Sequence, residues 1–121
     1  MADSIVAVID DLLFQSRVAD QARALGYDVA IADTTVAFDA AIGDGVALVV
    51  VDLHVSGIDW RRAVGDAREQ GVPVLAFGRH TEAALLREAR EAGCDRVVAR
   101  STLVEELAQL IRELASSGTA D

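Results

Sequence analysis

Three aspartates stand where two strongly apolar runs end. Ile5–Ile9 leads into Asp10-Asp11, and Val46–Val51, six apolar residues of which four are valine, leads into Asp52. Unbroken β-branched runs of this kind read as strands buried on both faces, the mark of a parallel sheet. In such sheets ligands and chemistry gather outside the carboxyl ends of the strands. If these two strands are neighbours, Asp10, Asp11 and Asp52 share one pocket. Close carboxylates repel, and a divalent cation with oxygen ligands relieves the repulsion. Such a cation also neutralises phosphate oxygens, so one carboxylate could accept a phosphoryl group. The competing reading makes Asp10-Asp11 an N-cap for the following helix. A single aspartate would suffice for that, so the pair favours the shared pocket.

Other candidate groups carry less. His54 and His80, the only histidines, each lie two residues beyond a strand-end position. They could flank Asp52 and tune water access, or recruit a softer metal such as zinc; two exposed loop histidines is the simpler reading. Trp60 is expected to pack on the sheet rim rather than bind a ligand. Cys94 lacks the sequence context of an activated thiol. No glycine-rich phosphate loop follows the first strand, where two aspartates would repel a nucleotide. Asp52-Leu53-His54-Val55-Ser56-Gly57 fits the D-x-H-x-x-G pattern of cobalamin-binding domains. There, however, the motif follows the first strand and a later Gly-Gly receives the nucleotide tail. Here it follows the third strand, and no Gly-Gly exists. Ser101-Thr102-Leu103 imitates the S-x-L piece by chance, and cobalamin is set aside.

Composition frames the elements that must position these residues. The chain has 121 residues, 52% apolar and 26% charged, which fits one globular domain with a real core. A net charge of −9 argues against a nucleic-acid-binding surface. All eleven basic residues are arginine, and lysine is absent. One cysteine cannot close an internal disulfide, and the start shows neither a signal-peptide pattern nor a membrane span. A cytoplasmic location is therefore expected.

Strand and helix alternate five times along the chain. The expected strands are Ile5–Ile9, Tyr27–Ala32 (an edge strand by its alternation), Val46–Val51, Val72–Phe77 with Pro73 at its start, and Asp95–Ala99. The first helix, Leu12–Leu25, places Phe14, Val18, Ala22 and Leu25 on one face and ends at Gly26. Asp33-Thr34-Thr35 starts a short alanine-rich helix. The third helix runs Trp60–Gln70, with Ala63, Val64 and Ala67 inward. Thr81 is expected to cap a fourth helix ending at Ala92, and Ser101 or Thr102 a fifth. The fifth carries the stripe Leu103, Leu107, Leu110, Ile111, Leu114 and gives way to a polar tail, Ser116–Asp121. Right-handed crossovers turn this alternation into a three-layer α/β sandwich in a single domain, 1–121.

At this point "IVAVIDDLLFQSRV", "LVVVDLHVSGIDW", "VPVLAFG" and "EAGCDRVVARS" resemble, in order, the strand-end blocks of bacterial response-regulator receiver domains. The resemblance covers essentially the whole chain. It implies a flavodoxin-like sheet of order 2-1-3-4-5 with five helices. It further implies Asp52 as phosphoacceptor, and magnesium (or manganese) held by Asp10, Asp11, Asp52 and the backbone carbonyl of His54. Where receivers carry a strand-four Ser or Thr, this chain has Gly78; where they carry a strand-five lysine followed by proline, it has Arg100-Ser101. Val97 takes the place of their aromatic switch residue, and Trp60 that of a common glycine.

The expectation is therefore a divergent receiver with altered switching in a two-component phosphorelay. It would not be an enzyme beyond phosphorylation and dephosphorylation of its own Asp52. Its partners would be a histidine kinase or phosphotransfer protein and a downstream protein target, with a homodimer also admitted, and neither nucleic acid nor membrane. The alternative keeps the fold as a phosphorylation-independent interaction module, a pseudo-receiver.

Overall fold

The structure, a computed structural model, describes residues 4–119, with side chains to residue 115. Five strands and five helices alternate: β1 (Ser4–Val8), α1 (Leu12–Ala24), β2 (Asp28–Ile31), α2 (Thr35–Ala41), β3 (Val46–Asp52), α3 (Trp60–Glu69), β4 (Val74–Gly78), α4 (Ala83–Glu91), β5 (Arg96–Ala99) and α5 (Arg100–Thr119). The strands form one parallel sheet of order β2-β1-β3-β4-β5. β1 and β3 are thus neighbours, and all seven residues of β3 are buried. That is the environment an unbroken valine run requires.

Side chains alternating along the strands build two cores. Val6, Val8, Val49, Val51 and Val74 face Phe38 of α2, Val64 and Ala67 of α3, and Leu86 of α4. Ile5, Ala7, Leu48, Val50 and Phe77 face Val18 and Ala22 of α1 and the expected α5 stripe from Leu103 to Leu114. Three layers result, with both sheet faces covered. Trp60, only 5% exposed, packs into the first core, with the Arg61 guanidinium over its ring at 4.5 Å. No helix among the described residues is long and apolar enough to cross a membrane.

Helix starts depart from expectation at two places. A turn in which the Glu82 N–H donates to the Arg79 carbonyl (3.0 Å) holds Thr81, so Glu82 becomes the α4 cap residue. The Glu82 carboxylate instead faces Arg79 and His54. α5 begins directly at Arg100, which leaves Ser101 and Thr102 inside its first turn rather than at its cap. α5 also continues to Thr119, past the expected start of the tail; Ala120 and Asp121 lie outside the described residues. β4 begins after Pro73, which has no N–H to give the ladder, and reaches Gly78. After α1, Gly26 takes the left-handed conformation (φ 94°) that ends a helix.

Two loops at the carboxyl edge of the sheet meet at Gly57. A Cβ built there would lie 2.0 Å from the Asp33 carbonyl oxygen, so the β3–α3 loop touches the β2–α2 loop backbone to backbone. Gly57→Ala should therefore destabilise by about 2–3 kcal/mol, as overpacking against an unyielding partner does. Gly65→Ala, at an exposed position of α3 where a Cβ meets nothing within 4 Å among the described residues, should instead stabilise by roughly 0.5–1 kcal/mol through helix propensity. Urea melts of the two variants check the contrast, and equal effects would contradict the close approach.

Candidate functional site

Asp52 ends β3 opposite Phe77 of β4. It is 1% exposed, the only fully buried charged residue among those described. Its Oδ1 accepts the His54 N–H at 2.9 Å, and its Oδ2 lies 3.7 Å from Arg100 Nη2. Burial holds the Asp52 carboxyl above the usual carboxylate range, against the His54 N–H and the Arg100 charge; the nearby Asp10 charge adds to the rise. One carboxylate oxygen is fixed by backbone, and the other faces a guanidinium.

The adjacent acids divide their work. Asp10 Oδ2 accepts both the N–H and the Oγ–H of Ser56, each at 2.9 Å, which ties the β1–α1 turn to the β3–α3 loop. The Ser56 N–H holds the Asp10 carboxyl below its ordinary value. Asp11 is exposed, and its Oδ1 accepts from Leu13 N (2.9 Å) and Phe14 N (3.2 Å) as the α1 N-cap. The topology thus brings Asp10 to Asp52, while the Asp11 side chain does the capping that a single aspartate can do.

Arg100, the first residue of α5, lies across the mouth of the site. Its guanidinium carbon stands 4.7 Å from the centre of the Phe14 ring, and that ring lies 5.2 Å from Phe77. Its Nε is buried and has no hydrogen-bond partner among the described residues. At Gly78 a Cβ would meet Leu86 Cδ2 at 3.3 Å and Leu53 Cδ1 at 3.4 Å. Leu86 and Leu53 therefore crowd the point where a strand-four side chain would begin. Val97 is half-buried against the first core. His54 is half-buried with Nε2 3.6 Å from Glu82, whereas His80 is exposed and makes no hydrogen bond or ion pair among the described residues. Of the two exposed loop histidines expected, only His80 is exposed; His54 meets Asp52 through its backbone N–H. Burial pushes the Cys94 thiol up to about 11, so it stays protonated near neutrality.

The implied magnesium donors are oxygens, the right type for a hard cation. As placed, however, the side chains of Asp10, Asp11 and Asp52 are not gathered around one point. Among the described residues no three His, Cys, Asp or Glu side chains form a metal-holding group. Asp11 is turned to the helix end, Asp10 to Ser56, and Asp52 already has a guanidinium beside it.

Sequence reasoning missed Ser56, Glu82 and the role of Phe14. The helical spacing assigns Phe14 an inward apolar position, and nothing in that spacing signals the guanidinium over its ring.

No family model matches the chain, and neither does any curated protein. Solved structures do. The chain superposes on NtrX from Brucella abortus with a TM-score of 0.83 at 20% identity, covering 98% of this chain and 28% of that one. It therefore spans less than a third of NtrX. The isolated NtrX receiver domain gives a TM-score of 0.81 at 19% identity, covering 95% of this chain and 99% of the other. A CheY-like response-regulator receiver domain protein from Methanospirillum hungatei JF-1 gives 0.81 at 18%, over 98% and 97%. The chain has the receiver-domain fold.

The raised Asp52 value predicts a stability change. A carboxyl whose folded pKa is raised contributes stability at low pH that is lost as pH rises through the folded value. Asp52→Asn keeps an acceptor for the His54 N–H and removes the buried charge. Its melting temperature should exceed that of the parent near neutral pH, with the difference vanishing in acid. A lower value at neutral pH would mean that the Arg100 pairing outweighs burial.

Proposed function

We propose that the chain is a receiver module in which Asp52 accepts a phosphoryl group, slowly and with altered switching, from a histidine kinase or phosphotransfer protein. The observation that carries the reading is a buried carboxylate at the end of the central strand with one oxygen fixed by backbone and the other turned to a cation. Deprotonated Oδ2 would attack phosphorus while the bond from phosphorus to the donor's nitrogen or oxygen breaks. The leaving group keeps that electron pair, and a mixed anhydride forms on Asp52. Arg100 is the group placed to receive the transferred negative charge, with a planar fork where receivers use a point charge. Gly78 supplies no hydroxyl, and a lost hydrogen bond to a charged group costs about 1.5–3 kcal/mol, roughly ten- to a hundredfold in rate.

Magnesium enters this proposal as a weak ligand. Asp10 Oδ1, Asp11 Oδ2 and the His54 carbonyl are the oxygens on offer, and gathering them takes Asp11 from its cap. Losing a cap costs about 0.5–2 kcal/mol, so calorimetry should show affinity weaker than Asp10, Asp11 and Asp52 would give if already assembled. The output would pass to a downstream protein partner, or to a second copy of the chain, through its surface. The acidic net charge of −9 suits neither nucleic acid nor an anionic membrane.

A phosphorylation-independent role is the second reading. It is favoured by the 1% exposure of Asp52 and by Leu53 and Leu86 standing over Gly78. Intact mass spectrometry with acetyl phosphate and magnesium separates the two. The parent should gain one phosphoryl group slowly, and Asp52→Asn none. Gly78→Ser with Arg100→Lys should label about tenfold faster. Serine is the substitution of choice because the two leucines need yield only a few tenths of an ångström. If the double variant also stays unlabelled, the phosphorylation-independent reading stands.

A further inference from the structure

We infer that Phe14 is a positioning residue: its ring holds the Arg100 guanidinium against Asp52, and this makes arginine rather than lysine the working cation of the site. The inference rests on the phosphoacceptor reading for its functional consequence, but its geometry stands apart from it. A single 3.7 Å contact from Nη2 to Oδ2 does not fix a long side chain whose Nε has no partner. The flat face of Phe14, 4.7 Å from the guanidinium carbon, supplies the second contact that sets its plane. A planar, weakly hydrated guanidinium stacks on an aromatic face in a way that a compact, strongly hydrated ammonium does not.

Phe14 is itself held from two sides. Its ring packs 5.2 Å from Phe77, which is fully buried and is the register partner of Asp52. Its backbone N–H donates to Asp11 Oδ1 at 3.2 Å. A chain of contacts therefore runs from the Asp11 cap through Phe14 and Arg100 to the Asp52 carboxylate. In this arrangement Asp11 serves the site by fixing the first turn of α1.

The test uses the whole chain and two readouts. In NMR spectra the Arg100 Hδ and Nε–H resonances should be shifted upfield by the Phe14 ring current. Phe14→Leu should abolish the shift, and Phe14→Tyr should keep it. In acetyl phosphate labelling Phe14→Leu should slow Asp52 about fivefold, Phe14→Tyr should restore the parent rate, and Phe14→Leu on an Arg100→Lys background should change the rate less than twofold. Circular dichroism confirms that each variant is folded. Should Phe14→Leu destroy the fold, the ring-current shift of Arg100 in the parent and in Phe14→Tyr carries the decision. An Arg100 signal without ring-current shift, or a Phe14→Leu rate equal to the parent's, overturns the inference. If the parent never labels, the phosphoacceptor reading fails by itself. Positioning is then judged by whether Asp52→Asn moves the Arg100 resonances in the parent and not in Phe14→Leu.

Discussion

A carboxylate sealed at the end of the fully buried central strand is the constraint that the rest of the site answers to. Moving an isolated ion out of water costs several kcal/mol even after relaxation, and only a well-placed partner offsets it. Asp52 has two partial answers: the His54 N–H on one oxygen and the Arg100 guanidinium near the other. Neither removes the penalty, since burial still raises the carboxyl's pKa. Asp52 is consequently a costly charge among buried apolar residues, and a perturbed carboxyl of this kind marks a candidate functional site.

Arg100 and Gly78 stand where the receiver domains that the sequence resembles carry a lysine and a hydroxyl. A strand-four serine or threonine and a strand-five ammonium both offer compact donors close to the acceptor. Here the space beside Gly78 is taken by Leu53 and Leu86, so one wall of the site is apolar. The cation approaches from the opposite side, where α5 begins at Arg100 and α1 presents Phe14. The charge that answers Asp52 is thereby mounted between α1 and α5, away from Val97 and α4.

How much of this was legible in the sequence follows from the range of the forces involved. Val46–Val51 ending in Asp52 reads as a central parallel strand because burial on both faces demands a continuous apolar run. The α5 stripe is equally plain, because helical periodicity records which side meets the sheet. The caps of α4 and α5 were not legible. Thr81 and Ser101 are sound cap residues by type, but the turn ending at Glu82 and the direct passage from Ala99 into Arg100 are set by the loop's path over the sheet. Asp10-Asp11 carried two readings that propensity cannot separate, and the structure gives one role to each residue. The stacking of Arg100 on Phe14 joins residues 86 positions apart, and no local pattern announces such a pair.

The loops around Asp52 are tied down, and that decides where any signal can travel. Asp10 grips Ser56 twice, and Gly57 lies against the Asp33 carbonyl with no room for a Cβ. The backbone from β3 into α3 is thus held from both the β1 and the β2 sides. His54 is pinned through its N–H to Asp52, and its ring faces Glu82. A change in charge at Asp52 meets little give in these directions. Arg100 is different: among the described residues its ionic contact to Asp52 is long and its Nε lacks a partner, and its stacking on Phe14 is held by dispersion and quadrupole rather than by directed hydrogen bonds. On the proposed function, negative charge added at Asp52 would draw the guanidinium inward along the Phe14 face. The first turns of α1 and α5, which carry Phe14 and Arg100, are where that displacement would be felt.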